Sequence, residues 1–415
     1  MTSTNNDHIP TQPSSMALEG VKVLELGQLI AGPFATKLLG EFGADVIKIE
    51  PPGTGDPLRR WRVMRGDTSL WWHVQTRNKR SVSLDLKSEE GQDIVKRLAA
   101  EADIVVENFS PGRLEKWGLG WDALSAINPG LIMVRISGYG QTGPYRDLPG
   151  FGVIGEAMGG LRYLSGHPGE SSVRVGISIG DSLSALYGVI GALLALQERR
   201  HSGLGQYIDV ALYESVFAMM ESLIPEYDGA GVIRHPSGSA LPGITPSNAY
   251  RCADDSEVLI AGNGDSIFKR LMHAIGRDDL GEDPALAHND GRSDNAAMID
   301  TAINNWTSRH ARDEVLEVLE AARVPAGHPY TAKDIVEDPH YAAREMIQTI
   351  TTRDGQSLKV PGVLPRLSRT PGRIGGGGPA LGEHTQSVLD ELGIDADTQA
   401  QLRERGVCFT ADDEA

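Results

Sequence analysis

The sequence predicts an α/β fold built around a parallel β-sheet. From residue 21 onward, short apolar runs typical of strands alternate with amphipathic runs typical of helices. The chain has 415 residues, of which 40% are hydrophobic and 23% are charged, so it is long enough to form two globular domains. Because alternating strands and helices join parallel strands through crossing helices, we expect a sheet that is covered on both faces.

The first strand–helix–strand unit spans residues 21–50. Its strands read VKVLEL and ADVIKIE, and the helix between them reads FATKLLGEFG. Glu50 ends the second strand where a ribose-binding acid would stand in a dinucleotide-binding unit. However, Gly27 and Gly32 do not form the GxGxxG motif, and Pro33 lies where the helix of that motif begins. The unit therefore predicts the architecture but not a dinucleotide site.

Two further alternations follow along the chain. A strand in SVSLDL precedes a helix in EEGQDIVKRLAAEA, and strands are expected next in DIVVENF and LIMVRISGYG. These units extend the predicted parallel sheet.

The run VRVGISIGDSLSALYGVIGALLAL contains the main candidate for chemistry, Asp181. Before Asp181, the apolar residues from Val173 to Ile179 alternate at the two-residue period of a strand. After it, apolar residues recur at helical spacing from Leu183 to Leu194. Asp181 is therefore expected at a helix N-terminus.

Two roles fit an aspartate in this position. Asp is a preferred N-cap residue, and spacing alone favours that structural role. The exposed amides and the dipole of a helix start also favour an ionised carboxylate, and an accessible carboxylate can act as the nucleophile in acyl transfer. Spacing does not decide between the N-cap role and the nucleophile role, so the choice depends on the residues that surround Asp181.

The second half of the chain differs in composition. An apolar helix is expected in QYIDVALYESVFAMMESLIPEY, followed by a loop in HPSGSALPGITPS and then a strand in EVLIAG with several helices. The run from Gly375 to Pro379 is expected to be a flexible linker before a last pair of helical segments. The predicted organisation is a disordered tail (1–17), the first part of a large domain (18–224), a small α+β domain (225–333), and a linker that returns to the large domain (334–415).

Charge and cysteine content exclude several classes of protein. The net charge of −17 argues against nucleic-acid or membrane-surface partners. The longest apolar stretch, around 185–196, is shorter than the roughly 20 residues of a membrane span. Cys252 and Cys408 lie far apart, so no disulfide framework is expected, and the polar N-terminus lacks the pattern of a secretory signal. We therefore expect a cytoplasmic protein.

Metal and serine-hydrolase chemistry are not supported. The 11 histidines are dispersed and form no HExxH motif, and no GxSxG nucleophile motif occurs. We expect no bound metal.

Five segments carry a pattern that is more specific than any single motif. In order, they read LEGVKVLELGQLIAGPFATKLLGEFGADVIKIEPPGTGDPLR, RNKRSVSLDLKSEEG, ADIVVENFSPGRLEKWGL, NPGLIMVRISGYGQTGP and VGISIGDSLSALYGVIGALLAL. In sequence and in separation, they resemble family III CoA-transferases of the CaiB/BaiF type, the group that contains formyl-CoA transferase and carnitine CoA-transferase.

The resemblance implies a fold and a reaction. The fold would be a large Rossmann-like domain built from both chain ends with a smaller domain inserted, and two such subunits would interlock as a homodimer. Asp181 would be the nucleophile, passing through an aspartyl-CoA thioester. No permanently bound cofactor is implied, because the CoA thioester is itself a substrate alongside a carboxylic acid.

The resemblance also assigns binding residues. Leu29, Ile30 and Ala31 would line the CoA path, and Leu84 and Lys87 would lie near its adenine end. The residues that contact the nucleotide and pantetheine parts would be Asn108, Phe109, Ser110 and Lys116. The segment from Ser237 to Gly243, with Gly238 and Gly243, is a candidate mobile loop over the reacting centre. A plain interdomain linker is an equal alternative for that segment.

Two departures from related enzymes narrow the reaction. The similar 2-methylacyl-CoA racemases have a His followed by an Asp where this chain has Phe151 and Gly152, so the racemase base is absent. Many transferases have an acid at the position of Gly152. Glu156, one helical turn further on, is the candidate to replace it, with a structural role as the alternative.

The segments GFGVIGEAMGGLRYLSG and MESLIPEYD are similar to family members that act on short dicarboxylates. Arg162 is the candidate to bind the distal carboxylate, because a guanidinium offers a bidentate fork; a surface ion pair is the alternative. The sequence thus predicts CoA transfer from succinyl-CoA to a C4 or C5 dicarboxylate such as malate, citramalate, mesaconate or itaconate. A racemase and a non-catalytic acyl-CoA-binding protein are the alternative functions.

Overall fold

The computed structural model describes residues 15–411. The expected disordered tail, residues 1–17, therefore lies almost wholly outside the described residues. The described chain divides into two compact units. The first comprises the described residues up to Leu161, Val175–Glu221 and the described residues from Ala343 onward, and the second comprises Arg162–Arg174 and Ser222–Ala342.

The strands are numbered in chain order. They are β1 (Lys22–Glu25), β2 (Asp45–Glu50), β3 (Met64–Arg65), β4 (Thr68–Ser69), β5 (Lys79–Leu84), β6 (Ile104–Glu107), β7 (Ile132–Ser137), β8 (Tyr207–Ala211), β9 (Ser247–Arg251), β10 (Glu257–Ala261), β11 (Ala326–Gly327), β12 (Ile347–Thr351), β13 (Ser357–Pro361) and β14 (Cys408–Phe409).

The α-helices are numbered in the same way. They are α1 (Ala31–Glu41), α2 (Trp72–Gln75), α3 (Glu89–Glu101), α4 (Arg113–Lys116), α5 (Trp121–Ile127), α6 (Gly152–Met158), α7 (Leu161–Leu164), α8 (Ile179–Ser202), α9 (Leu212–Phe217), α10 (Leu223–Ala230), α11 (Asp265–Ala274), α12 (Asp278–Gly281), α13 (Asn289–Asp294), α14 (Ala296–Thr307), α15 (Arg312–Ala321), α16 (Ala332–Glu337), α17 (Pro339–Ala343), α18 (Thr385–Glu391) and α19 (Ala396–Glu404). Short 3₁₀ turns occur at Pro57–Arg60 and Pro284–Leu286.

The first unit is organised by a seven-stranded sheet in the order β14-β5-β2-β1-β6-β7-β8. All neighbours are parallel except β14, which is antiparallel to β5. The predicted α/β class with a largely parallel sheet is confirmed. The chain places β2 on one side of β1 and later returns to place β6 on the other side. The strand order therefore reverses between β1 and β6, which is the point where open parallel sheets form a ligand crevice at the carboxyl ends of their strands.

The sheet is covered on both faces because alternate side chains enter two separate cores. Leu24 and Val105 belong to one core with residues of α3, α5 and α18, whereas Val23 and Val106 belong to the other with residues of α1 and α8. This arrangement explains the nearly continuous apolar sequence of the central strands, since parallel strands are buried on both sides.

Helix α8 corrects two expectations. The alternating residues before Asp181 form no strand, and Val173, Val175 and Ile177 are about half exposed. The helix begins at Ile179 and runs for 24 residues, so it exceeds the apolar stretch considered in the sequence. By length and composition alone it could cross a membrane, but a single such helix is weak evidence, because core helices pass the same test.

The face of α8 that contacts the sheet consists of small residues. A Cβ added to Gly188 would lie 3.0 Å from Val134 Cγ1, and one added to Gly191 would lie 2.7 Å from Ile208 Cγ2. Ala185, Ala192 and other small residues complete the buried face. The small residues therefore set how closely α8 approaches β7 and β8.

The segment after α8 contains a strand that the sequence analysis assigned to a helix. Tyr207–Ala211 forms β8 beside β7, and the rest of the segment contains the short helix Leu212–Phe217 and the start of α10 at Leu223. The high apolar content of the segment is typical of both elements, so it did not distinguish them.

The second unit contains a separate antiparallel sheet in the order β11-β10-β9. Its core includes Val258, Phe268 and Ile303. The buried guanidinium of Arg292 donates to the carbonyls of Thr245 and Asn263 and binds the Asp265 carboxylate at 2.8 Å.

The glycine run near the C-terminus is packed and is not the flexible linker that we expected. Gly375 N donates to Asn78 Oδ1 at 2.6 Å, and Gly378 N donates to His73 Nδ1 at 3.2 Å. A Cβ on Gly378 would lie 2.3 Å from Thr76 Oγ1 and 2.6 Å from the Trp72 ring. Glycine is needed because the chain passes directly over α2.

We predict that Gly378→Ala lowers the free energy of unfolding by about 1–3 kcal/mol, because the new methyl group overlaps Thr76 and Trp72. The control is Gly229→Ala in α10, where an added Cβ has no neighbour within 4 Å; that variant should be neutral or more stable. Chemical denaturation measures both variants. Equal stability of the two variants would contradict the packed assignment.

Candidate active site

Asp181 lies in the first turn of α8 and is half-buried. The N-cap of the helix is Ser178, three residues earlier, so the expectation that Asp181 is itself the N-cap is wrong. The position nevertheless places its carboxylate at the end of a long helix where backbone amides favour negative charge.

The carboxylate of Asp181 occupies the space beside Gly152, the first residue of α6. A Cβ on Gly152 would lie 2.3 Å from Asp181 Oδ2 and 3.0 Å from its Cγ. No side chain fits at position 152 while Asp181 keeps this conformation. The resemblance implies an acidic side chain at position 152. In this chain the Asp181 carboxylate fills the space that such a side chain would take.

Glu156 lies one turn further along α6 and is fully buried. Its Cγ is 3.5 Å from the place that a Cβ of Gly180 would take, so it is next to the turn that carries Asp181. Glu156 is thus near Asp181. Phe151, the residue before α6, is 67% exposed.

Helix α9 completes the wall around this site. A Cβ on Gly155 would lie 2.8 Å from Leu212 Cβ, and one on Gly159 would lie 2.6 Å from Val216 Cβ. These contacts bring α6 against α9, and Val216 Cγ2 lies 3.5 Å from the place that a Cβ of Gly180 in α8 would take, which is an ordinary contact distance. Three helices therefore meet at Asp181.

A second group of predicted residues lies at the crevice between β1 and β6. The Asn108 side chain follows β6; its Oδ1 accepts from Gln28 N and its Nδ2 donates to Gln28 O, both at 2.8 Å. This pair of bonds joins the turn after β1 to the turn after β6. It brings together six of the residues assigned to CoA, namely Leu29, Ile30, Ala31, Asn108, Phe109 and Ser110.

The burial of these residues differs. Leu29, Asn108 and Phe109 are half-buried and Ser110 is exposed, whereas Ile30 and Ala31 are buried. Ile30 and Ala31 therefore form the floor of the turn.

The remaining residues assigned to CoA lie elsewhere at the sheet edge. Lys87 follows β5 and Lys116 ends α4, and both are exposed. Leu84 ends β5 and its side chain is fully buried in the core, so its place near the adenine end of CoA stays a prediction.

The sequence analysis missed a buried ionic network beneath the β1–α1 turn. Lys48 Nζ contacts Glu25 Oε1 at 2.7 Å and Asp56 Oδ2 at 2.8 Å, and Lys79 Nζ contacts Glu25 Oε2 at 2.8 Å. All four side chains are 0–1% exposed. The signal that could have revealed it is a charged residue within an apolar strand, at Glu25 and Lys48.

The network shifts the titration of its members. Burial lowers the pKa of Lys79 to about 8, although the Glu25 carboxylate opposes that shift. Burial alone would raise the pKa of Glu25, but the ammonium groups of Lys48 and Lys79 bring it below its usual value. The carboxylate is therefore kept ionised by its two partners.

A second buried carboxylate supports the turn after β6. Glu107 Oε2 accepts from Phe109 N at 2.8 Å, and Glu107 Oε1 binds Arg135 Nε at 2.9 Å. Burial raises the pKa of Glu107 to about 7, although the Arg135 guanidinium lowers it. Glu107 thus fixes the main chain of Phe109.

A charged cleft of about 510 Å³ opens elsewhere in the first unit. Its lining includes Arg60, Arg65 and Arg353 together with Asp67 and Asp354. Opposite charges are mixed along its walls, and Asp181 is not among its lining residues.

The remaining predicted residues belong to the second unit. Arg162 lies in α7 and is half-buried. Gly238 has φ +67° and its N–H donates to Gly166 O at 3.0 Å, while Gly243 has φ +74° and its carbonyl accepts from Asn289 Nδ2 at 2.7 Å. Both glycines are in the left-handed region that the loop conformation requires.

Within residues 15–411, no group of three or more His, Cys, Asp or Glu side chains is arranged to hold a metal ion.

Comparison with known proteins adds a consistent set of similarities. The sequence profile of CoA-transferase family III matches residues 18–385. The chain is 50% identical over 392 residues to a succinyl-CoA–D-citramalate CoA-transferase of Chloroflexus aurantiacus, covering 94% of this chain and 98% of that protein. It is 45% identical over 384 residues to the beta subunit of a succinyl-CoA–L-malate CoA-transferase of the same organism, covering 91% and 95%.

A solved structure is similar as well. The crystal structure of a CAIB/BAIF family protein from Brucella suis aligns with a TM-score of 0.80 and 34% sequence identity. The alignment covers 91% of this chain and 100% of the other.

We predict that Gly152→Ala lowers the free energy of unfolding by about 1–3 kcal/mol, because its Cβ overlaps the Asp181 carboxylate. In an Asp181→Ala background the overlap is gone, so the same substitution should cost at least about 1 kcal/mol less. Denaturation of the wild type, both single variants and the double variant gives this coupling. An equal cost in both backgrounds would show that the carboxylate does not fill the space beside Gly152.

Proposed function

The chain belongs to CoA-transferase family III, and from this premise we propose that it moves CoA from succinyl-CoA to a C4 or C5 dicarboxylic acid. The observation that carries the choice of substrate is the 50% identity, over nearly the whole chain, to a succinyl-CoA–D-citramalate CoA-transferase. Malate, citramalate, mesaconate and itaconate are the candidate acceptors.

In the proposed mechanism, Asp181 is the nucleophile. Its carboxylate attacks the thioester carbonyl of succinyl-CoA and expels the CoA thiolate, which leaves a mixed anhydride. The thiolate then attacks the aspartyl carbonyl, releases succinate and forms an aspartyl-CoA thioester. The acceptor carboxylate reverses these two steps and leaves as the new CoA thioester, so one thioester is consumed and one is formed in each cycle.

The surroundings of Asp181 support this role. The carboxylate lies at the N-terminal turn of a 24-residue helix, where backbone amides favour the negative charge of the nucleophile and of the oxyanions formed during attack. Gly152 leaves its Oδ2 side without a competing side chain. A half-buried position also limits the access of water, which would hydrolyse the anhydride and the thioester.

We propose that CoA binds along the crevice between β1 and β6 and acts as a substrate, without a permanently bound cofactor. The turn at Leu29 and the turn at Asn108 and Phe109 meet there, where strand order reverses. Lys87 and Lys116 are exposed cations at the same edge of the sheet and suit the phosphates of the nucleotide.

We also propose a cytoplasmic homodimer with interlocked subunits, each with a large domain built from both chain ends. An exposed apolar face on α8 supports a protein partner: Leu186, Ile190, Leu193 and Leu194 are 42–66% exposed. Such a patch is costly in water and is typical of an interface. The acidic composition argues against nucleic acid or a membrane surface as that partner.

The racemase alternative is not favoured by the residues beside Asp181. A racemase needs a second acid–base group opposite the carboxylate, and the position next to it is occupied by Gly152 with Phe151 exposed. A non-catalytic acyl-CoA-binding protein is the remaining alternative, and the Asp181 variants below distinguish it.

The first experiment identifies the substrates. We expect the wild type to form new CoA thioesters, detected by mass, when succinyl-CoA is incubated with a panel of C4 and C5 dicarboxylic acids. We expect kcat/KM with butyryl-CoA to be lower by at least about tenfold, because a cation that binds the distal carboxylate stays desolvated and unpaired with an apolar analogue. Equal use of both donors would contradict the dicarboxylate assignment.

Arg162→Leu tests the residue proposed for the distal carboxylate. The variant should have a smaller ratio of kcat/KM for succinyl-CoA to kcat/KM for butyryl-CoA than the wild type. The ratio should fall chiefly because kcat/KM for succinyl-CoA falls, while kcat/KM for butyryl-CoA changes little. An unchanged preference would contradict the choice of Arg162 alone and leave the substrate class intact.

The second experiment tests the nucleophile. Asp181→Asn keeps the size of the side chain but removes the nucleophilic carboxylate, so we expect transfer to fall by at least about 10⁴-fold while the protein stays folded. Ser182→Ala, the neighbouring substitution, is the control and should keep most of the activity. A well-folded Asp181→Asn protein with near-normal turnover would contradict the mechanism.

A further inference from the structure

We propose that the buried pair Lys48–Asp56 positions the β1–α1 turn, residues 26–30, in the conformation that receives the acyl-CoA substrate. The effect on substrate rests on the proposed function, whereas the positioning itself rests on the contacts of the two side chains. Neither residue is among those that the sequence analysis assigned to the site.

Asp56 holds the turn through its carboxylate. Oδ1 and Oδ2 accept from Leu29 N at 3.0 and 3.1 Å, and Oδ1 also accepts from Leu58 N at 2.9 Å. Leu29 has φ +65°, in the left-handed region that a leucine rarely adopts. The carboxylate therefore stabilises a main-chain conformation that the leucine does not itself favour.

Lys48 holds the same turn from below. Its ammonium donates to Gly27 O at 2.9 Å and also contacts Glu25 Oε1 and Asp56 Oδ2. An ammonium has three hydrogens, and three acceptors surround this one. Lys48 thus ties a carbonyl of the turn to the carboxylate that binds the amide two residues further on.

Stability alone is a poor explanation for this arrangement. Removing two charges from water is costly, and well-packed apolar residues of similar volume are often at least as stabilising as a buried ion pair. What the pair supplies and apolar residues do not is a set of directed bonds to the main chain. The contacts at Gly27 O and Leu29 N are of this kind.

The turn lies where a ligand is expected for independent reasons. It follows β1 at the point where strand order reverses, and Asn108 binds Gln28 N and Gln28 O from the other side of the crevice. Three consecutive residues, 27–29, are thus bonded by Lys48, Asn108 and Asp56. A turn fixed in advance loses less conformational entropy when substrate binds, so its rigidity should appear as affinity.

Two charge-balanced double variants test the main-chain hydrogen bonds that the side chain of residue 56 accepts. Lys48→Met/Asp56→Asn and Lys48→Met/Asp56→Leu each remove one positive and one negative charge, and both leave Glu25 paired with Lys79. Asn keeps an oxygen that can accept from Leu29 N, whereas Leu does not. The two variants therefore differ in the hydrogen bonds that residue 56 accepts from Leu29 N and from Leu58 N.

We expect KM for succinyl-CoA to be about tenfold higher in the Leu variant than in the Asn variant, with kcat changed by less than about threefold. A purely structural role would lower the amount of active enzyme and hence the apparent kcat, without this separation of KM from kcat. Equal KM values in the two variants would overturn the proposal.

Amide hydrogen exchange of the ligand-free wild type gives a second test. It requires no variant to fold and no measurement of activity. The Leu29 amide should be protected to the same extent as amides of β1, because its acceptor is a buried carboxylate. Exchange as fast as that of the exposed turn at Gly53 would overturn the proposal. If the wild type transfers no CoA from succinyl-CoA, the proposed function fails, and the exchange result still decides whether Asp56 positions the turn.

Discussion

The close approach of three helices at Asp181 is the constraint on which the candidate site depends. Helix α6 presents Gly152, Gly155 and Gly159 along one side, and the atoms that a Cβ would meet belong to Asp181, Leu212 and Val216. A side chain at Gly155 or Gly159 would push α6 away from α9, and one at Gly152 would displace the Asp181 carboxylate. The glycines of α6 therefore allow the close helix packing that determines where the Asp181 carboxylate lies.

The same helix, α8, links this packing to the sheet. Its Gly188 and Gly191 allow the helix to lie directly on β7 and β8, so the end that carries Asp181 is fixed relative to the carboxyl edge of the parallel sheet. At that edge, the turn after β1 and the turn after β6 are joined by Asn108 and supported by buried charges. A fixed Asp181 carboxylate and a fixed crevice would suit the proposed reaction, in which activated intermediates are passed on before water reaches them.

Much of the fold could be predicted because the strands and helices have clear periodicity. The strands at VKVLEL, ADVIKIE and DIVVENF and the helix at EEGQDIVKRLAAEA lie where their patterns indicate. The errors occurred where a pattern has two physical causes. The alternating residues Val173, Val175 and Ile177 form no strand and are about half exposed. The mostly apolar segment Tyr207–Ala211 is a strand, although its sequence fits a helix equally well.

The site was predictable only where a motif or a resemblance pointed to it. The position of Asp181 near a helix start followed from spacing, but its contact with Gly152 depends on how α6 and α8 pack, and no local pattern reports that distance. The glycines at 375–378 were assigned to a flexible linker because composition cannot show that Trp72 and Thr76 leave room only for hydrogen. Likewise, the pairing of Lys48 with Asp56 joins residues whose partnership exists only in three dimensions.

The most direct test of the account is to locate the covalent intermediate. The enzyme would be incubated with succinyl-CoA without an acceptor, treated with hydroxylamine, and digested for peptide mass mapping. The account predicts that the side chain of Asp181 is converted to the hydroxamate, since hydroxylamine cleaves an aspartyl thioester at its carbonyl. Modification of another carboxylate such as Glu156, or the absence of any modified residue in protein that transfers CoA when an acceptor is added, would contradict the assignment of Asp181 as the nucleophile.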